Sequence, residues 1–126
     1  MEDVDWVTEI FSKCSPPSVF ETLREQVRKD VETRNALRSQ YSAYIYSMQN
    51  GGDAFKVFIE RDRDHRSVRF ELMKRGISVT DEHDKKLFEL VLTLNDAGQC
   101  RPKVGDRLYE WWQIRQMALE SLFTVS

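Results

Sequence analysis

Apolar residues recur at Phe20, Leu23, Val27, Val31, Leu37, Tyr41, Tyr44 and Met48, with one lapse at Arg34. Steps of three or four keep them on one face of a 3.6-residue helix. No Gly or Pro interrupts residues 18–49. Ser18-Val-Phe-Glu21 has the spacing of a capping box at the start, and Asn50-Gly51-Gly52 supplies a left-handed stop at the end. The spacing therefore predicts one long helix over 18–49. At 1.5 Å per residue it would run roughly 48 Å. A compact chain of this size has a diameter of roughly 36 Å. Such a helix must bend, overhang its own domain, or lie on another chain. Its first half is a narrow aliphatic seam, and Leu23, Val27 and Val31 are the residues expected to form a homodimer contact. Its second half is wider, because Ala43, Ile45 and Tyr46 join the stripe.

Upstream, Val4, Trp6, Val7, Ile10 and Phe11 predict a short helix over 4–13, capped by Asp3 and closed by Ser15-Pro16-Pro17. Downstream of Gly52 the period changes to two. Phe55, Val57 and Ile59, then Val68, Phe70 and Leu72, alternate with outward residues and predict an antiparallel hairpin. Gly76 either turns the chain into a strand over 77–80 or bulges one long strand. Leu87–Leu94 is read as a strand because Phe88, Leu90, Leu92 and Leu94 alternate, and because Asn95-Asp96-Ala97-Gly98 suits a tight turn with Gly in the left-handed position. Pro102 lacks an N–H, so the returning strand is expected at an edge. Gly105-Asp106 then opens a last helix over 107–123, with Leu108, Trp111, Arg115, Ala118 and Leu122 on one face. The whole chain, 1–126, reads as a single α+β domain. It comprises a short helix, a long helix, a four- to five-stranded antiparallel meander over 55–104, and a C-terminal helix on one face of the sheet.

Charge changes this picture little. The net charge of −2 exerts no global pull towards nucleic acid or anionic membrane. No apolar run approaches the length of a membrane span, and the first residues lack the order of a secretory signal. Cys14 and Cys100 are far apart without CxxC spacing, which reads as two reduced thiols in a cytoplasmic protein.

Candidate chemistry is sparse. His65 and His83 each stand among carboxylates, a composition that suits a metal or acid–base chemistry but equally a solvated turn. Arg61, Arg63, Arg66, Arg69, Lys74 and Arg75 form the densest basic stretch; beside Phe58 they would offer phosphate neutralisation and base stacking. Glu60, Asp62, Asp64, Glu71 and Glu89 lie among them. No phosphate loop, dinucleotide fingerprint, metalloprotease motif or nucleophile elbow is present, and no cofactor is expected. Adjacent helical positions point about 100° apart, so Trp111 and Trp112 cannot both enter one core. Trp111 follows the apolar stripe; Trp112, with Tyr109, is the expected partner contact. The leading expectation is a non-enzymatic protein–protein interaction module of the adaptor, inhibitor or immunity type, homodimeric through the long helix. The alternative is a nucleic-acid or phosphate-binding module built on the basic hairpin 61–75.

Overall fold

The computed structural model describes residues 14–38, 44–59 and 66–124. These form two helices and one seven-stranded antiparallel sheet, an α+β arrangement. Helix α1 spans Pro16–Ala36, followed by β1 Tyr46–Asn50, β2 Ala54–Ile59, β3 Ser67–Leu72 and β4 Gly76–Asp81. Strands β5 Lys86–Leu94, β6 Cys100–Val104 and β7 Arg107–Leu108 complete the sheet, and α2 spans Trp111–Phe123. The strands lie side by side in chain order.

The long helix expected over 18–49 is not what forms. Helix α1 begins two residues earlier, because Pro16 and Pro17 occupy its first turn, where a missing N–H costs nothing. Ser18 therefore lies inside the helix rather than at its cap. The helix stops at Ala36, and Tyr46–Asn50 is the first strand of the sheet. Two contacts fix that exchange. The Asn35 side chain accepts from the Tyr46 N–H at 3.0 Å and donates to its carbonyl at 2.9 Å. Tyr46 is buried, stacks edge-on against Phe123 at 5.0 Å, and donates its hydroxyl to the Leu122 carbonyl at 2.8 Å.

The hairpin and the strand expected over 87–94 form as read, in a sheet of more strands than the four or five expected. Gly76 makes a true turn: Met73 donates to its carbonyl at 2.8 Å, and β4 starts there. A Cβ at Gly76 would lie 1.9 Å from the Leu90 carbonyl oxygen, so the close approach of β5 requires glycine. Gly98 takes the left-handed conformation, φ 73°, in the turn before β6. Pro102 is not on the outermost strand, since β7 pairs beyond β6. Its carbonyl accepts from Tyr109 on that side, so its nitrogen faces the same way, past the end of β7, and no ladder bond to β5 is lost. Gly105-Asp106 is the β6–β7 turn rather than the start of a helix, and α2 begins four residues later than expected, at Trp111. The helix expected over 4–13 lies outside the described residues.

One core lies between the inner sheet face and the two helices. Phe20 packs on Phe55 at 5.1 Å, and Phe55 stacks on Phe70 at 4.6 Å. Leu23, Val27 and Val31 are buried in the same cluster with Ile77, Val79, Leu90 and Ile114. This corrects the dimer contact expected on α1: its seam is consumed by the sheet of its own chain, with Leu23 and Val27 no more than 1% exposed. Arg24 locks the helix to the first hairpin, donating to the Gly51 and Gly52 carbonyls at 2.8 and 2.7 Å while lying over the Phe20 and Phe55 rings.

Cys14 and Cys100 are joined in a disulfide, against the expectation of free thiols. Sequence separation gave no hint of it, because the meander brings β6 back beneath the start of α1. Trp111 donates its indole N–H to the Cys100 carbonyl at 3.2 Å on the same spot.

Two outcomes check this arrangement. Leu23→Ala should lower the unfolding free energy by about 2–5 kcal/mol, as for a core leucine, with no change in oligomeric mass. Cross-linking residues 86 apart should stabilise the fold by about 4–5 kcal/mol in the chain-entropy account. Urea unfolding with and without reductant measures it, and a thiol count of zero in the unfolded, unreduced protein is the accompanying chemical check.

Candidate functional site

Helices α1 and α2 run side by side on the sheet. Near the middle of both, the Arg115 guanidinium donates to Asp30 at 2.7 Å and to Gln26 at 3.2 Å. Towards the far end, Arg34 donates to the Phe123 carbonyl at 2.9 Å while its guanidinium lies over the Tyr46 ring. Above these contacts the helices diverge into a groove of about 410 Å³. Its walls are Asp30, Thr33, Arg34 and Leu37 from α1 and the residue after it, and Trp112, Arg115, Gln116, Leu119, Glu120 and Phe123 from α2. Trp112 is 56% exposed at one end, and Leu37 is 77% exposed at the other. The groove is mostly apolar. Asp30 and Arg115 are paired, and with Arg34 and Glu120 the lining holds two cations and two carboxylates.

Local sequence explains the placement. Glu110 donates its N–H to the Gln113 side chain at 2.8 Å, which fixes the first turn of α2. That start sets the helical phase: Ile114, Ala118 and Leu122 face the sheet, Trp111 turns towards the disulfide, and Trp112 is left outward. The expected exposure of Trp112 is seen. Tyr109 is half-buried and has Arg107 over its ring, apart from the groove. Leu37 and Arg115 were missed as site residues. Leu37 was assigned to the continuing stripe of a longer helix, and Arg115 to the apolar face of α2.

The basic residues do not gather. Arg61 and Arg63 lie outside the described residues. Arg66 precedes β3, whereas Lys74 and Arg75 sit in the turn after it, at opposite ends of the sheet. Arg69, between them, is bonded to Glu71 at 3.0 Å. On the outer sheet face, Gln49, Lys56, Arg69 and Thr80 form one transverse row by register, and Glu71, Ser78 and Glu89 the next. A cationic row beside an acidic row is a self-neutralising solvated surface. Phe58 lies on this face with the Lys56 ammonium over its ring.

His65 lies outside the described residues. His83 is exposed in the β4–β5 turn, where Asp81 organises the backbone: its carboxylate accepts from the N–H groups of His83 and Lys85, each at 2.9 Å. Among the described residues no three metal-ligating side chains converge, and no helix is long and apolar enough to cross a membrane. Comparison with protein-family models, with curated proteins and with solved structures returns no match.

Partial desolvation pushes the Asp81 carboxyl up, but the two backbone donors and the neighbouring charges of His83 and Lys85 outweigh it and hold the group below its ordinary value. A folded value below the unfolded one stabilises the fold at neutral pH, and that contribution disappears as pH falls through the folded value. Asp81→Ala should therefore cost stability at neutral pH and progressively less in acid. Urea unfolding of both proteins across that range reads the convergence.

Proposed function

We propose that the protein is a non-enzymatic protein-interaction module whose docking surface is the groove between α1 and α2, and whose occupant is an amphipathic helix of another protein. The observation that carries this reading is the exposed Trp112 indole above an apolar floor of Leu119 and Phe123, with Leu37 at the far end. Tryptophan is enriched among the residues that dominate binding energy, chiefly where a partner completes its burial. Two neighbouring helices leave between them a trough of the shape a third helix fills. From Trp112 to Phe123 the trough runs roughly 16 Å at 1.5 Å per residue, about three helical turns. Helix-in-groove recognition needs apolar anchors on one face of the guest, at spacings of three and four. Along the walls of the trough Asp30 and Arg115 neutralise each other. The disulfide favours an oxidising compartment over the cytoplasm first expected.

The basic surface supports the phosphate-binding reading less well, because Arg66 lies at one end of the sheet, Lys74 and Arg75 lie at the other, and Arg69 is bonded to Glu71. The adaptor and inhibitor roles differ only in what the bound helix belongs to.

A displayed library of helical peptides should enrich sequences with apolar residues at i, i+3, i+4 and i+7 on the wild-type protein. Trp112→Ala should weaken the enriched peptide by about 2 kcal/mol or more, roughly thirtyfold, with the unfolding midpoint unchanged. Enrichment that survives Trp112→Ala intact, or no enrichment at all, would rule the groove out.

A further inference from the structure

The two edges of the sheet are guarded unequally. At one edge β7 is two residues long, contains Arg107 and follows the proline-bearing strand β6. Short strands, charge and proline are the usual protections against stray pairing. At the other edge β1, Tyr46-Ser47-Met48-Gln49-Asn50, carries no charge, no proline and no bulge.

Backbone geometry says which of its groups are open. The N–H and C=O of a strand residue point the same way, and successive residues point opposite ways. Tyr46 directs both groups away from β2, since both are bonded to the Asn35 side chain. Gly51 directs its N–H towards β2, donating to Ala54 at 2.8 Å. Met48 and Asn50 therefore share the orientation of Tyr46. No described residue is bonded to their outward N–H and C=O groups. The amide of Asn35 already stands where the backbone of a neighbouring strand would begin.

We infer that β1 pairs with β1 of a second copy of this chain, antiparallel, with Met48 of each copy opposite Asn50 of the other. The choice of a second copy rests on self-complementarity. The open stretch comprises two outward-facing residues, and an antiparallel copy in this register satisfies all of their groups and no others. The stretch is bounded at one end by Asn35 and at the other by the Gly51-Gly52 turn, which carries the chain back to β2. The register sets Tyr46, with its Asn35 amide, opposite Gly52 of the second copy, where no heavy atom of a non-neighbouring residue lies within 4 Å of the position a Cβ would take. The two sheets become one, and the two-fold axis passes through Gln49. This pairing uses outward backbone groups of β1 and none of the residues that line the groove.

At the axis the two Gln49 side chains are directly opposed on the outer face, with Cα atoms about 4.5 Å apart in such a pair. Like charges there oppose association and unlike charges favour it. Gln49 is exposed, so charged substitutions leave the core intact. Light scattering with size exclusion should give the wild type twice the 14.9 kDa monomer mass at micromolar concentration. Gln49→Lys and Gln49→Glu should each run as monomers, and their equimolar mixture should recover the dimer mass. Trp112→Ala should leave the dimer unchanged. A wild type at monomer mass overturns the self-pairing and leaves the edge to a strand of another protein. Dimers that persist in both charged variants, or a mixture that stays monomeric, place the contact elsewhere and overturn it too.

Discussion

The contact on which the rest depends is the aliphatic seam of α1 against the inner face of the sheet. Phe20, Leu23, Val27 and Val31 fill the space above Phe55, Phe70, Ile77 and Val79, and no part of that seam remains for another molecule. Burying each such side chain is worth about 1.5–3 kcal/mol, and β1–β4 supply the surface that makes this available. Once α1 is fixed there, Asn35 reaches the edge of β1, Arg24 reaches the first hairpin turn, and Asp30 meets Arg115 on α2.

The division of the long apolar stripe shows where the sequence is readable and where it misleads. Residues four apart share a face in a helix, and residues an even number apart share a face in a strand. Tyr44 and Met48 satisfy both rules, so their spacing cannot decide between them. The widening of the stripe at Ala43, Ile45 and Tyr46 was the local sign that helical phase had been lost, and the Arg34 lapse came just before the break. Strands with an uninterrupted alternation, such as Phe55-Val57-Ile59 and Val68-Phe70-Leu72, were legible because nothing competes with period two. The charges of the basic stretch were legible as a composition and not as a surface, since β3 separates Arg66 at one end of the sheet from Lys74 and Arg75 at the other. The disulfide depends on a contact across most of the chain, which local pattern does not encode.

Several surface charges are paired within the chain. Arg28 is bonded to both Glu25 and Glu32 along α1, Arg69 to Glu71, and Lys86 to Glu89. Such exposed pairs contribute little to stability. Apart from these pairs, the exposed features that stand out are apolar or are backbone groups: the Trp112 indole, Leu37 and the rim of β1. The groove and the rim of β1 share no residue.

The disulfide also divides the chain topologically. Joining Cys14 to Cys100 makes a covalent ring that contains α1 and the strands β1–β5, and leaves β7, α2 and most of β6 as a tail outside it. Tension applied to the two ends of the polypeptide would pass through the sulfur atoms rather than along the ring. Under such a load α2 would peel away, and the ring would resist extension until its sulfur link was cut. Of the two described helices, the one that bears Trp112 is thus the one outside the covalent ring.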